Sequence, residues 1–104
     1  MSTTLLVAEL MRFVVLERLQ LLRQRSYAEL QALPEETAED VTIEDRQVPI
    51  TVSIGPVASE RLRGVVQGWV ESRFAGTSVF TDGFLKKKDE GIEPMGERDF
   101  EEYV

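Results

Sequence analysis

Between residues 48 and 87 the chain alternates in a way that leaves few folding choices. Val48, Ile50, Val52 and Ile54 are separated by Pro49, Thr51 and Ser53, a two-residue period that sets four β-branched side chains on one face of a strand. The turn-like pair Gly55-Pro56 follows. Two further extended runs come next, 62–70 with Val65, Val66, Trp69 and Val70, and 77–87 with Val79, Phe80, Phe84 and Leu85. Such runs, joined by short connections, predict an antiparallel sheet with one face that must be covered. Only the N-terminal segment is long and apolar enough to cover it.

A helix is expected there over 4–25, with Ser2, Thr3 and Thr4 as N-cap candidates. At 100° per residue, Val7, Ala8, Leu10, Met11, Val14, Val15, Leu19, Leu21 and Leu22 form one broad apolar arc. Arg18 falls inside that arc, and Leu5, Leu6, Phe13 and Leu16 fall outside it. Two readings follow. In one, Arg18 reaches past the sheet to water and the outlying residues are ordinary surface. In the other, the helix is covered on two sides, by its own sheet and by a second copy of the chain through Leu6, Phe13 and Leu16. Glu9, Arg12, Glu17 and Arg18 interrupt the apolar run. A signal peptide or membrane span is therefore not expected, and a cytoplasmic location is.

Ser26-Tyr27-Ala28-Glu29 fits a capping box, and Pro34 is expected to end this second helix at Leu33. Residues 35–40 read as an acidic connector before a first strand at 41–44, with a tight turn at Asp45-Arg46 leading into 47–54. Pro49 has no N–H for a ladder, so its nitrogen is expected at an edge or a bulge. Gly64 and Gly68 indicate a twist, a bulge or close approach of the covering helix. Asp82-Gly83 is read as a bulge inside one strand, with the chain reversing at 89–91 and returning through Ile92 and Glu93. Phe100 and Tyr103, three residues apart, predict a short C-terminal helix over 97–103. Residues 1–104 are thus expected to form a single α+β domain. Its long N-terminal helix and short second helix would pack on one face of a four- to five-stranded antiparallel sheet.

Function is constrained first by what the chain lacks. With no Cys and no His, it has no thiol nucleophile, no thiolate metal site and not the commonest general base. Gly-rich phosphate loops and serine-nucleophile motifs are also missing, so a non-catalytic protein without cofactor or metal is expected. A net charge of -7 opposes a phosphate backbone, which argues against nucleic acid as a partner. Segments 34–60 and 89–104 each sum to -6, around a middle segment, 61–88, of +4.

Four clusters are candidates for binding. Arg61, Arg63, Gln67 and Trp69 share one face of the third extended run, with Val65 between them. They would suit an anionic or aromatic ligand, in a small-molecule module or a minor enzyme. The plainer reading is a solvent-facing sheet surface. Glu35, Glu36 and Glu39, with the carboxylates after them, would form a surface for a basic protein, as an inhibitor-like accessory domain does, or else a solubilising loop. Asp89, Glu90 and Glu93 near Asp82 are oxygen ligands at short spacing, but without the alternation of a calcium loop they read as a solvated turn. Lys86-Lys87-Lys88 read as guards on a strand edge.

Overall fold

Strand follows strand in chain order across one sheet, and a single long helix lies over it. The computed structural model describes residues 3–58, 60–72 and 76–95. Helices α1 (Thr3–Arg23) and α2 (Tyr27–Gln31) precede β1 (Glu36–Ile43), β2 (Arg46–Ala58), β3 (Arg61–Ser72), β4 (Gly76–Lys87) and β5 (Ile92–Pro94). The five strands form an antiparallel meander of order β1-β2-β3-β4-β5. This is the expected α+β arrangement. The expected C-terminal helix, with Phe100 and Tyr103, lies outside the described residues.

The alternating run does what its period requires. Val48, Ile50 and Ile54 of β2, Leu62, Val66 and Val70 of β3, and Phe84 of β4 are buried on the face that meets α1. Val7, Met11, Val15, Leu19 and Leu22 of α1 close this core, with Leu30 of α2 at one end. The helix buries a narrower stripe than its composition predicts. It packs on β3 and β4 and scarcely meets β1, so Leu10 and Val14 are half-buried and Leu21 is 51% exposed. Of the residues outside the arc, Phe13 is 66% exposed and Leu6 and Leu16 are each 39% exposed. Arg18 does not run past the sheet. It reaches sideways to Glu39 of β1, with 3.1 Å between Nη2 and Oε1.

Three further expectations change at the strand ends. The acidic residues 36–40 are not a connector but most of β1, paired in register from Glu36↔Ser53 to Ile43↔Arg46. The strand expected at 41–44 is its second half, where Val41 and Ile43 face the core; the first half was missed because its residues are polar on both faces or small. β1 is an edge strand, where Glu36, Glu39 and Asp40 keep its free backbone from pairing with other chains. The turn after it is Glu44-Asp45, one residue earlier than expected. Both residues have positive φ (48° and 65°), as a two-residue type I′ hairpin requires. Asp82-Gly83 is indeed inside one strand, but it pairs regularly with Val66 and Val65 and forms no bulge. The bulge lies in β2, between Pro56 and Ala58.

Helix α2 ends at Gln31 with Ala32 as its C-cap, two residues before Leu33. At its start the capping box is complete: the Glu29 N–H donates to Ser26 Oγ (3.1 Å) and the Ser26 N–H to Glu29 Oε1 (3.0 Å). That backbone donor, then the Ser26 hydroxyl and the Arg25 charge, holds the Glu29 carboxyl below its ordinary range, against a small opposing effect of burial.

Glu44 is unsuited to the left-handed region, which costs an ordinary residue roughly 1–2 kcal/mol, and Asp45 tolerates it less well than glycine does. The double substitution Glu44→Asn, Asp45→Gly is expected to stabilise the protein by about 1 kcal/mol and raise Tm by roughly 4–8 °C. Thermal denaturation followed by circular dichroism checks it, and an unchanged or lower Tm contradicts strain at this turn.

Candidate functional site

Consecutive residues of an antiparallel strand direct their N–H and C=O groups alternately to the two neighbouring strands. The Ile54 N–H donates to the Glu35 carbonyl at 2.8 Å. Val52, Ile50 and Val48 therefore also face β1, and Ser53, Thr51 and Pro49 face β3. Pro49 stands where an N–H would bind the Trp69 carbonyl, and it has none to give. The β2–β3 ladder ends next to it, at Ile50↔Gly68. Beyond that pair, β2 stays joined to β1 as far as Arg46, and β3 to β4 as far as Ser72. Pro49 is thus neither at a sheet edge nor in a bulge. It ends the ladder between two interior strands.

The consequence is an open groove of about 450 Å³ where the two hairpins lose their pairing, lined by Asp40, Arg46, Gln47, Val48, Pro49, Trp69, Val70 and Glu71. Trp69 is half-buried along it. The Glu71 carbonyl, two residues on and facing the same way, accepts a hydrogen bond from Arg46 Nη1 at 3.2 Å. That side chain replaces the ladder partner that β2 no longer supplies. Asp40 pairs with Pro49, and Trp69 lies across Pro49 on its other side. Asp40, Pro49 and Trp69 therefore lie in that order on the face turned away from α1, with Asp40 and Pro49 paired and the groove open between Pro49 and Trp69. Glu71 follows two residues along.

The four residues singled out on β3 do share that face, but they do not share a site. Arg61 lies eight residues from Trp69, roughly 26 Å along the strand, and its guanidinium is 3.5 Å from Glu93. Between them the face is not solvent. Val65 is 1% exposed and Leu85 7%, and the Met95 sulfur occupies the space where a Cβ on Gly83 would project. Arg63 and Gln67, half-buried, flank Val65 rather than the groove. Trp69 alone of the set lines the groove, with Asp40, Pro49 and Glu71, which sequence reading did not assemble. The signal was Pro49 opposite Trp69, but that pairing is invisible until the bulge at Pro56 sets the β2–β3 register.

The other clusters are spent on the fold. Glu36 and Glu39 lie on opposite faces of β1, Glu39 binds Arg18, and the Glu35 backbone carbonyl extends the β1–β2 ladder. They do not make one acidic surface. The Glu90 carboxylate accepts the Tyr27 N–H at 3.0 and 3.1 Å and lies 3.4 Å from buried Lys86. Glu93 lies 3.8 Å from Lys87. Lys86 is no edge guard, because β5 flanks β4 from Phe84 to Lys86. Among the described residues there is no group of three His, Cys, Asp or Glu residues placed to hold a metal, and no helix is long and apolar enough to cross a membrane.

Pro49→Thr restores the donor opposite the Trp69 carbonyl. It is expected to extend the β2–β3 ladder, stabilise the protein by about 0.5–1.5 kcal/mol, and reduce acrylamide quenching of Trp69. An amide at position 49 that exchanges with solvent as fast as a free one contradicts this account of the groove. No protein-family model, curated protein or solved structure matches the chain, so the groove has to be understood from its own chemistry.

Proposed function

We propose that the protein is a non-catalytic protein-interaction domain, and that a segment of its partner lies in the groove where β2 and β3 lose their pairing. The observation that carries this reading is a half-buried indole beside a ladder that has been interrupted. Trp69 offers apolar area, and its backbone carbonyl is an acceptor to which a partner's N–H can donate. Small molecules favour enclosed pockets that bury most of their surface, whereas this groove is only partly enclosed. Asp40 and Glu71 are its only acids, and both are exposed. They lack the apolar setting that acid–base catalysis by carboxylates needs.

Trp69 is the single tryptophan of the chain, so its emission reports on the groove alone. Peptides selected from a displayed library against the protein are expected to shift that emission. They should lose about thirtyfold in affinity on Trp69→Ala, the scale of an interface hot spot. Selected peptides that bind Trp69→Ala as tightly as the parent count against the groove.

A second reading is favoured by Phe13. Its ring is the most exposed large apolar group of α1, and it lies in line with Leu6 and half-buried Leu10. A second copy of the chain, packing antiparallel about a two-fold axis at Phe13, would cover all three in an isologous contact. Leu16 lies about 60° around the helix from Phe13, at the margin of that contact. The patch is small, so the dimer would be weak. Sedimentation at micromolar concentration is expected to show reversible dimers that Phe13→Glu abolishes, with stability changed by less than about 0.5 kcal/mol. A strict monomer sinks the self-association reading and leaves the groove reading intact.

A further inference from the structure

We infer that the partner segment places a cation, an arginine or lysine side chain, in the groove at Trp69, between Asp40 and Glu71; this rests on the groove reading above. The indole face attracts a cation through its quadrupole, and carboxylates stand on either side of it. Neither Asp40 nor Glu71 has an ion-pair partner among the described residues, whereas Glu39, Glu60, Glu90 and Glu93 each have one. Among the described residues Arg46 is the one cation that lines the groove, and it is turned to the Glu71 backbone carbonyl. The protein already makes cation–ring contacts elsewhere. The Arg12 guanidinium lies 5.0 Å from the Phe80 ring centre, and that of Arg23 lies 5.8 Å from the Phe84 ring centre.

The spacing suits one long basic side chain. Asp40 lies beyond the Pro49 strand from Trp69, with the groove between them, and Glu71 is about 7 Å along β3 from Trp69. A guanidinium lying on the indole can donate to a carboxylate from its edge while its face is stacked, which an ammonium cannot do, so arginine is the better fit. The charge that lines the groove agrees: Asp40 and Glu71 outnumber Arg46, whose guanidinium is held by the Glu71 carbonyl. A basic segment is steered towards such a surface and an acidic one is repelled.

The test titrates the full chain with three capped hexapeptides, hexa-arginine, hexa-glutamate and an alternating Gly-Ser peptide, and reads Trp69 emission. Hexa-arginine alone is expected to change the emission saturably. Asp40→Asn with Glu71→Gln should weaken it about tenfold, and Glu36→Gln, a remote exposed carboxylate, by less than about twofold. Circular dichroism melting confirms that each variant is folded. No saturable change with hexa-arginine overturns the inference, as does equal weakening by Glu36→Gln, which would mean diffuse charge attraction. If library-selected peptides without basic residues bind through Trp69 while hexa-arginine does not, the cation is wrong and the interaction groove stands. If neither binds, both fall.

Discussion

Met11 lies against the bare backbone of Gly68, and the placement of α1 follows from that contact. A Cβ on Gly68 would come within 2.8 Å of the Met11 Cγ and Sδ and 2.9 Å of Ile50 Cδ1, distances that carbon does not tolerate. Any side chain there would force Met11 and Ile50 out of the positions they now fill. With Met11 seated, α1 runs over β3 and β4, and its buried stripe narrows to Val7, Met11, Val15, Leu19 and Leu22. Phe13 is then turned to water and Arg18 towards β1. On the helix side of β1, Ile43 and Val41 pack into the core, and at Glu39 the Arg18–Glu39 pair bridges to the helix.

The opposite flank is tied down more firmly. Glu90, at the reversal between β4 and β5, caps the first N–H of α2 and neutralises Lys86, which is only 5% exposed. Removing either charge would leave its partner uncompensated in or beside the core. This contact joins residues 63 positions apart, so it locks the start of the chain to its last described strands. Val65 and Leu85 add a second, smaller apolar layer beneath Met95 on the other face. The β3–β4 centre is therefore covered on both sides, whereas the β1–β2 hairpin buries Ile43, Val48, Ile50 and Ile54 on one face only.

That asymmetry is where binding becomes possible. A proline in the middle of a sheet is ordinarily a defect, because it removes a ladder bond and leaves a carbonyl unpaired. Here the defect falls at the less covered end and opens the only stretch of β3 backbone that β2 does not meet. The groove thus has one wall from β3, whose centre is covered on both faces, and one from the hairpin, which is covered on one. Asp40, Pro49, Trp69 and Glu71 come from three strands, yet the pleat brings them to one face.

The sequence by itself determined the periods and the punctuation. Two-residue alternation in 48–54 placed a strand, its long apolar helix covered it, Ser26 and Glu29 marked a cap, and 89–91 marked a reversal. These are local properties, written in neighbouring residues. Only the first half of β1, residues 36–40, was hidden, because an edge strand needs no apolar alternation, its polar side chains being the guard against further pairing. The groove was hidden for a different reason. Pro49 and Trp69 are twenty positions apart, and only the register of β2 on β3, shifted by the bulge between Pro56 and Ala58, sets one opposite the other. Likewise Arg61 and Trp69 share a parity that sequence can read, but 26 Å of strand separates them. Which apolar residues of α1 remained at the surface was decided by the seat of Met11, a contact between two elements that no single stretch encodes.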